Sequence, residues 1–396
     1  MKYKTIRYPI LTIALVCLSS IKGYAQVDSL IKALTDTVVS KLIVDDIPKK
    51  TFKDKFMYPH RWYIRQLLKR RTSDFDTSYI MSNKRKLTLT IPINKKYYGV
   101  NLIDPNTNRK LKISPNNYYN IGFNFSNLLL TFAFVPPLKI GARSGRGNTK
   151  STDIQVTIFG KRVITDINYQ NYRGMYVHSN DFIQNKSDNQ FIDVRSDIKI
   201  ISYGVNTMFV FDHKRYSLRG AFSFTDVQRK SSGSFMAGVY HSHVDLTCND
   251  SSLLQYPLKP YFSPAVHNIH KLSVIGAGLS AGYGYTFVRK KILFSTALNI
   301  GAGGQKTDFS RVGYASESLP VNLTLHLNAK AAVRYDNLKF FSGVLATYDN
   351  NYTPFVISFN SENYIGKIVL FVGYRFNLRQ NGEKILKKMG LIDYNM

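Results

Sequence analysis

The chain has 396 residues, with 54 Lys or Arg against 25 Asp or Glu for a net charge of +29, and it holds 27 Tyr, 25 Phe, one Trp and two Cys. Apolar residues at 44% and aromatics at 13% exclude a disordered chain. Two cysteines exclude a disulfide scaffold, and no run of about 18 apolar residues follows the first 25 positions, which excludes a spanning helix.

Residues 1–25 read as a cleaved secretory signal. Lys2, Lys4 and Arg7 form the basic start, Ile10 to Leu18 the short apolar core, and Gly23 and Ala25 the small residues before the cut. A lipoprotein signal ending at Cys17 is the alternative, and Val16 departs from the small residue it wants there. Export makes nucleic acid a poor partner for the positive charge, and it leaves Cys248 as the single thiol, read as a small residue near a strand end.

Residues 26–83 are expected to be a helical, basic periplasmic segment. Leu30, Ile31, Leu34, Val38 and Leu42 have amphipathic helical spacing, and Pro48 ends that helix. From His60 to Arg71, Arg61, Arg65, Lys69 and Arg70 make a cationic face opposite Trp62, Ile64 and Leu67. Two readings fit it: a helix lying on a membrane surface, or one packed against the next domain.

From residue 84 to 377 the sequence alternates with period two. Between Leu319 and Tyr335, Val321, Leu323, Leu325, Leu327 and Val333 oppose Asn322, Thr324, His326, Asn328, Lys330 and Arg334. Successive strand side chains point to opposite sides, so such segments carry one apolar and one polar face. Twelve segments qualify: 87–103, 119–135, 152–159, 162–170, 198–211, 214–225, 234–246, 271–288, 291–301, 319–335, 338–348 and 366–376. Turn signals at Gly160-Lys161, Asp212-His213-Lys214, Arg289-Lys290-Lys291 and Asp336-Asn337 separate some of them.

A soluble sandwich and a membrane barrel both use alternation. Strand length, aromatic residues near strand ends (Tyr169, Tyr216, Tyr335) and the ending Val372-Gly-Tyr374-Arg-Phe376 predict an all-β, antiparallel transmembrane barrel of about twelve strands. Tyr374 and Phe376 are expected to be the terminal signal read by the barrel assembly machinery. One inconsistency is visible. If all twelve strands exist, the short turns at Gly160 and Asp212 fall on the opposite side from those at Arg289 and Asp336, although short turns belong on one side. The tail 378–396, with Lys384, Lys387 and Lys388, is expected to be a solvated basic segment.

YPHRWYIRQLL with FDTSYI (Phe75 to Ile80), IFGKRVITDINYQNYRGMYV (Ile158 to Val177), FDHKRYSLRGAFSFTDVQRKSSGSFMAG (Phe211 to Gly238), AGYGYTFV (Ala281 to Val288) and GKIVLFVGYRF (Gly366 to Phe376) carry a resemblance. Together they resemble an uncharacterised family of exported Gram-negative proteins, a domain of unknown function. The resemblance implies an outer-membrane barrel and brings no catalytic residues.

Polar faces turned inward would line a lumen with Lys86, Arg162, Arg215, Arg219, Lys330, Arg334, Lys367 and Arg375, against few acids, chiefly Asp153 and Asp166. Three roles follow. A basic wall draws anionic solutes inward, as in a narrow channel or solute-binding barrel. Bulky inward residues such as Phe159 and Phe371 suit a closed structural or surface-interaction barrel. Basic residues near the outer rim suit lipopolysaccharide phosphates. A lipid-modifying enzyme would need a Ser, a His and an orienting group, and Ser231, Ser232 and Ser234 near His241 supply only the types. His241, His243 and Asp245 share one strand face, which is a polar strand end more readily than a metal site. Gly301 to Gly304 lacks the Lys and helix of a phosphate loop. No metal, cofactor or catalytic residue is expected.

Overall fold

The structure, a computed structural model, describes residues 75–83, 86–126, 131–134, 140–159, 162–179, 191–249, 252–256, 258–353 and 359–377. The signal, the cationic helix with Arg61, Trp62, Arg65, Lys69 and Arg70, and the basic tail lie outside these residues. Within the described residues no helix is long and apolar enough to cross a membrane.

Seventeen strands follow one another: β1 (Ile80–Ser82), β2 (Lys86–Asp104), β3 (Arg109–Ser114), β4 (Tyr119–Ile121), β5 (Phe123–Ser126), β6 (Thr131–Phe134), β7 (Lys150–Phe159), β8 (Val163–Ser179), β9 (Phe191–Val210), β10 (Asp226–Gln228), β11 (Ser232–Thr247), β12 (Ile269–Arg289), β13 (Ile292–Arg311), β14 (Ser316–Ser318), β15 (Asn322–Asp336), β16 (Phe340–Tyr352) and β17 (Asn360–Asn377). A single-turn helix, α1 (Leu218–Phe222), lies between β9 and β10. Ten of the described strands form an antiparallel ring in the order β17-β16-β15-β13-β12-β11-β9-β8-β3-β2, closed by pairing of β17 with β2. The closure between β3 and β8 is narrow, through Lys112, Ile113 and Ser114 alone, and β6 and β7 each have one strand neighbour among the described residues.

The ring has ten strands, where the alternation predicted twelve. The expected strand at 119–135 breaks into the short strands β4 and β5, which pair with β2, and β6, which folds back on β5. Among the described residues β7 pairs only with β8, outside the ring path. Residues 214–225 are not a strand at all. The six-residue β3, absent from the sequence reading, bridges β2 to β8 at one end, with Ile113 opposite both Val100 and Val177.

Removing the strand at 214–225 also removes the inconsistency over turn sides. The connection between β9 and β11 now lies at the same end as the short turns Arg289 to Ile292 and Asp336 to Phe340. The other end carries the long connections, 248–268 and 312–321, beside the tight turn from Asp104 to Arg109.

Alternation then places the two faces. On β15, Thr324, His326, Asn328 and Arg334 are buried inward, while Leu323, Leu325, Val333 and Tyr335 are exposed outward. Outward rows run across the wall, as in Phe287–Phe294–Val333–Val344–Leu370 on five adjacent strands. At the long-loop end the interior fills with an apolar cluster that joins Val100 and Leu102 of β2 and Ile200 of β9 to Leu253, Leu254 and Phe262 of the connection after β11.

Candidate functional site

The lumen is the natural place for chemistry in a barrel, and a folded plug shuts its short-turn end. The plug is the connection from Phe211 to Ser231. Ser217 caps α1, its hydroxyl accepting from the Gly220 N–H at 3.0 Å and donating to Asp226 at 3.0 Å. Gln228 locks the two arms of the plug together, accepting from the Ser217 N–H and donating to the carbonyls of Arg215 and Lys230. The segment ahead of the barrel joins it, since β1 pairs with β10 with Ile80 opposite Gln228. Residues 75–83, expected at the end of a helical segment, are therefore a turn and a strand.

Apolar contacts seat the plug. Tyr216, Leu218, Ala221 and Phe222 pack on Met208 and Met236 of the wall, and Phe224 stacks on Phe371 with ring centroids 4.1 Å apart. Gly284 makes room for Tyr216, because a Cβ there would lie 2.4 Å from its hydroxyl. Phe224 has φ of 63°, the left-handed conformation usual for glycine just past a helix end. Its ring contacts with Phe371 and Phe341 hold a large side chain at that position.

Two arginines latch the plug to the wall. Arg375 donates to both oxygens of Asp336 at 2.8 and 2.9 Å and to the Phe224 carbonyl at 2.9 Å. Arg334 donates to the Gly220 carbonyl at 2.9 Å and lies 3.2 Å from Asp336. All three charged side chains are excluded from solvent. A buried pair with such partners costs about 3–5 kcal/mol to break, because a lone buried charge remains.

The expected basic lumen is therefore only partly assembled. Lys86, Lys330, Arg334, Lys367 and Arg375 do point inward from β2, β15 and β17. Lys330 pairs with Asp166 at 2.6 Å, and Lys96, which the sequence reading passed over, pairs with Asp153 at 3.1 Å. Lys367 stands in the field of both acids and of both lysines. Arg162 is half-buried at the turn into β8. Arg215 and Arg219 belong to the plug: Arg215 is exposed, 5.6 Å from the Tyr79 ring, and Arg219 is buried in α1. Asp336 and Asp349 add inward acids that the sequence reading left out.

Above the lysines the lumen is lined by polar side chains that meet one another. Tyr240 stacks on His326 at 4.3 Å, His326 contacts Asn351 at 3.0 Å, and Asn328 donates to Asp349 at 2.8 Å. A cavity among Asn206, Tyr240, His326 and Asp349 has a volume of about 10 Å³, the room of a single water.

The triad types at Ser234 and His241 are not brought together. Ser234 is buried inward, donating to the Phe235 carbonyl and accepting from the Asp212 N–H, while His241 is on the opposite, outward face. His243 and Asp245 share that outward face, 2.9 Å apart, with Tyr203 at 2.7 Å from His243 and Ser273 at 2.6 Å from Asp245. No group of three or more metal-ligating side chains occurs among the described residues. Tyr374 and Phe376 are exposed on the outer wall, their rings 4.8 Å apart. Cys248 is buried beyond β11, and burial pushes its thiol up to about 12.

The plug was missed because Tyr216, Leu218, Phe222 and Phe224 imitate a strand face. The signal that finds it is the break at Gly220-Ala221, with Ser217 as a helix cap and Leu218, Ala221 and Phe222 at helical spacing.

Comparison with known proteins adds a family and a set of distant barrels. A family model described as Domain of unknown function (DUF4421) matches residues 74–376. A search of curated proteins gave no match. Among solved structures, the outer membrane protease OmpT from Escherichia coli is 9% identical, over 74% of this chain and 97% of that one, at a TM-score of 0.32. The translocator domain of the autotransporter NalP from Neisseria meningitidis is 12% identical over 73% and 88% at 0.29, and the outer membrane protein OprG from Pseudomonas aeruginosa is 8% identical over 74% and 98% at 0.21.

Proposed function

The chain belongs to the DUF4421 family, and for this member we propose a closed outer-membrane barrel that acts as a structural or surface-interaction protein rather than as a channel. The observation that carries this reading is the plug held at the short-turn end by Arg375, Asp336 and Arg334.

The outward face supports placement in a bilayer. Phe235 is 71% exposed, Leu279 70% and Ile300 60%, in rows that continue around the wall. Such a surface in water is an association hazard, and in lipid it is the required face. On β12 the outward run from Ile275 to Phe287 covers the roughly 9–11 residues that a tilted spanning strand needs. Short turns mark the periplasmic end of such barrels. The plug then faces the periplasm, and the connections 248–268 and 312–321 face the exterior.

The test is electrical. Purified full-length protein in planar bilayers is expected to insert and pass no steady current. Sustained anion-selective steps would overturn the closed reading in favour of a narrow anion channel. One observation bears on that rival: three lysines, Lys96, Lys330 and Lys367, stand around the middle of the lumen with Asp153, Asp166 and Asp349. Anions would reach them only after the plug left, so Arg375→Ala should raise the frequency of brief openings. A lipid-modifying activity has less support, because Ser234 and His241 face opposite sides of β11.

A further inference from the structure

Cations on the outer wall are arranged differently from those inside. Lys150 lies directly opposite Arg173, Arg173 opposite Lys199, Lys199 opposite Thr247, and Thr247 opposite Lys271. Four cations thus occupy one cross-strand row over β7, β8, β9, β11 and β12. Neighbouring residues fix the face. Thr149, Tyr172, Ile198, Ile200 and Leu272 are buried, so the cations beside them turn outward, and Lys150, Arg173 and Lys271 are exposed. The row spans about 19 Å, four steps of about 4.8 Å between strands.

Like charges directly opposite one another destabilise a sheet. Inside the barrel each comparable cluster contains acids, as Asp153, Asp166 and Asp336 show. On this row none of the four cations has an acid within ion-pair distance among the described residues. The acids one step either side of the row are engaged elsewhere: Asp197, two residues before Lys199, by Arg195 at 2.8 Å, and Asp245 by His243 and Ser273. On the next strand Asp308 accepts from Ser318 and contacts Lys306 at 3.4 Å. The row is therefore a cluster of cations that no acid among the described residues neutralises.

Position identifies the anion. Two rows toward the short-turn end stand Tyr169, Tyr203 and Ile275, and from there Val156, Ile167, Val205 and Leu279 continue the apolar wall. A ligand with acyl chains can lie along that wall and still put its charge on the cations. Tyr203 and His243, hydrogen-bonded between the two zones, suit the polar–apolar boundary. We propose that this row, at the long-loop end, binds the phosphorylated sugar headgroup of an outer-leaflet glycolipid through Lys150, Arg173, Lys199 and Lys271. The proposal rests on the membrane reading above and names the lipid that the wall would hold.

The experiment uses the refolded full chain in uncharged detergent, titrated with diphosphoryl lipid A and read by native mass spectrometry. Wild type is expected to hold the lipid, and the variant Lys150→Ser/Arg173→Ser/Lys199→Ser/Lys271→Ser to hold it at least about tenfold more weakly, given the contribution of each cation near an anionic surface. Lys199→Arg/Lys271→Arg should bind as wild type does. Equal binding by the serine variant, or of dephosphorylated lipid A by wild type, overturns the proposal. So does displacement of the lipid by inorganic pyrophosphate at equal concentration, which would mark a free-phosphate site. Heat-modifiable gel mobility in phosphatidylcholine vesicles separates the two readings. If wild type never folds into vesicles, the membrane reading fails and this site with it. If it folds and binding ignores phosphate, this site alone fails.

Discussion

The two ends of the barrel are shut by different physics. At the short-turn end a compact plug is held by directed, buried charge: Arg375 and Arg334 on Asp336 and on the carbonyls of Phe224 and Gly220. At the long-loop end the closure is an apolar cluster in which Leu253, Leu254 and Phe262 pack on Leu102 and Ile200. Area-based packing tolerates exchange of one apolar side chain for another of like volume. A buried charge latch does not, since every partner must be present. The difference teaches that the plug has one seated geometry, whereas the outer closure is free to vary in sequence while it keeps its volume.

The largest expected effect tests the latch. Arg375→Ala should destabilise the barrel by about 3–5 kcal/mol in urea unfolding, because Asp336 loses its two-pronged partner and keeps only Arg334, 3.2 Å away. Arg375→Met with Asp336→Leu should recover little of that loss, because Arg334 is then buried without an acid, and adding Arg334→Met should recover much of it. If the double variant recovers as much as the triple one, Arg334 is not part of the latch. At the other end Leu254→Ala should cost about 2–5 kcal/mol by leaving a cavity, and Leu254→Met less than about 1.5 kcal/mol. An equal penalty for Met would erase the proposed contrast between the ends. Within the plug, Ser217→Ala removes the α1 cap and should cost about 1 kcal/mol, measured by the same unfolding curves. The smallest effect concerns Cys248. With burial holding its thiol at about 12, maleimide at pH 8 should leave it unlabelled in the folded protein and label it in urea. Rapid labelling of the folded form would mean that the outer closure opens readily.

How much was legible before any coordinates follows from particular residues. β2, β12, β15 and β17 were readable because each carries a long, uninterrupted alternation, and a period of two has one interpretation when it lasts. β3 was not readable. Six residues with Arg109, Lys110 and Lys112 give too short a pattern, and they become a strand only because Val100 and Val177 stand on either side. The segment 119–135 alternates well enough for one strand, yet it divides into β4 and β5 along β2 and β6 folded back on β5. The partners of Lys330, Arg334, Lys367 and Arg375 were not readable, because Asp166 and Asp336 reach them across the barrel or from the end of a strand.

The sequence by itself determined an alternating wall, its apolar and polar faces, and the membership of nearly all its long strands, because side-chain direction along a strand is local geometry. The row of Lys150, Arg173, Lys199 and Lys271 was beyond it, since four cations from four distant segments become neighbours only through register. Tertiary structure alone decided the ring of ten and the turning of 214–230 into a plug. Inside a closed barrel a backbone without water must find internal partners, and a capped helical turn latched by Arg334 and Arg375 supplies them.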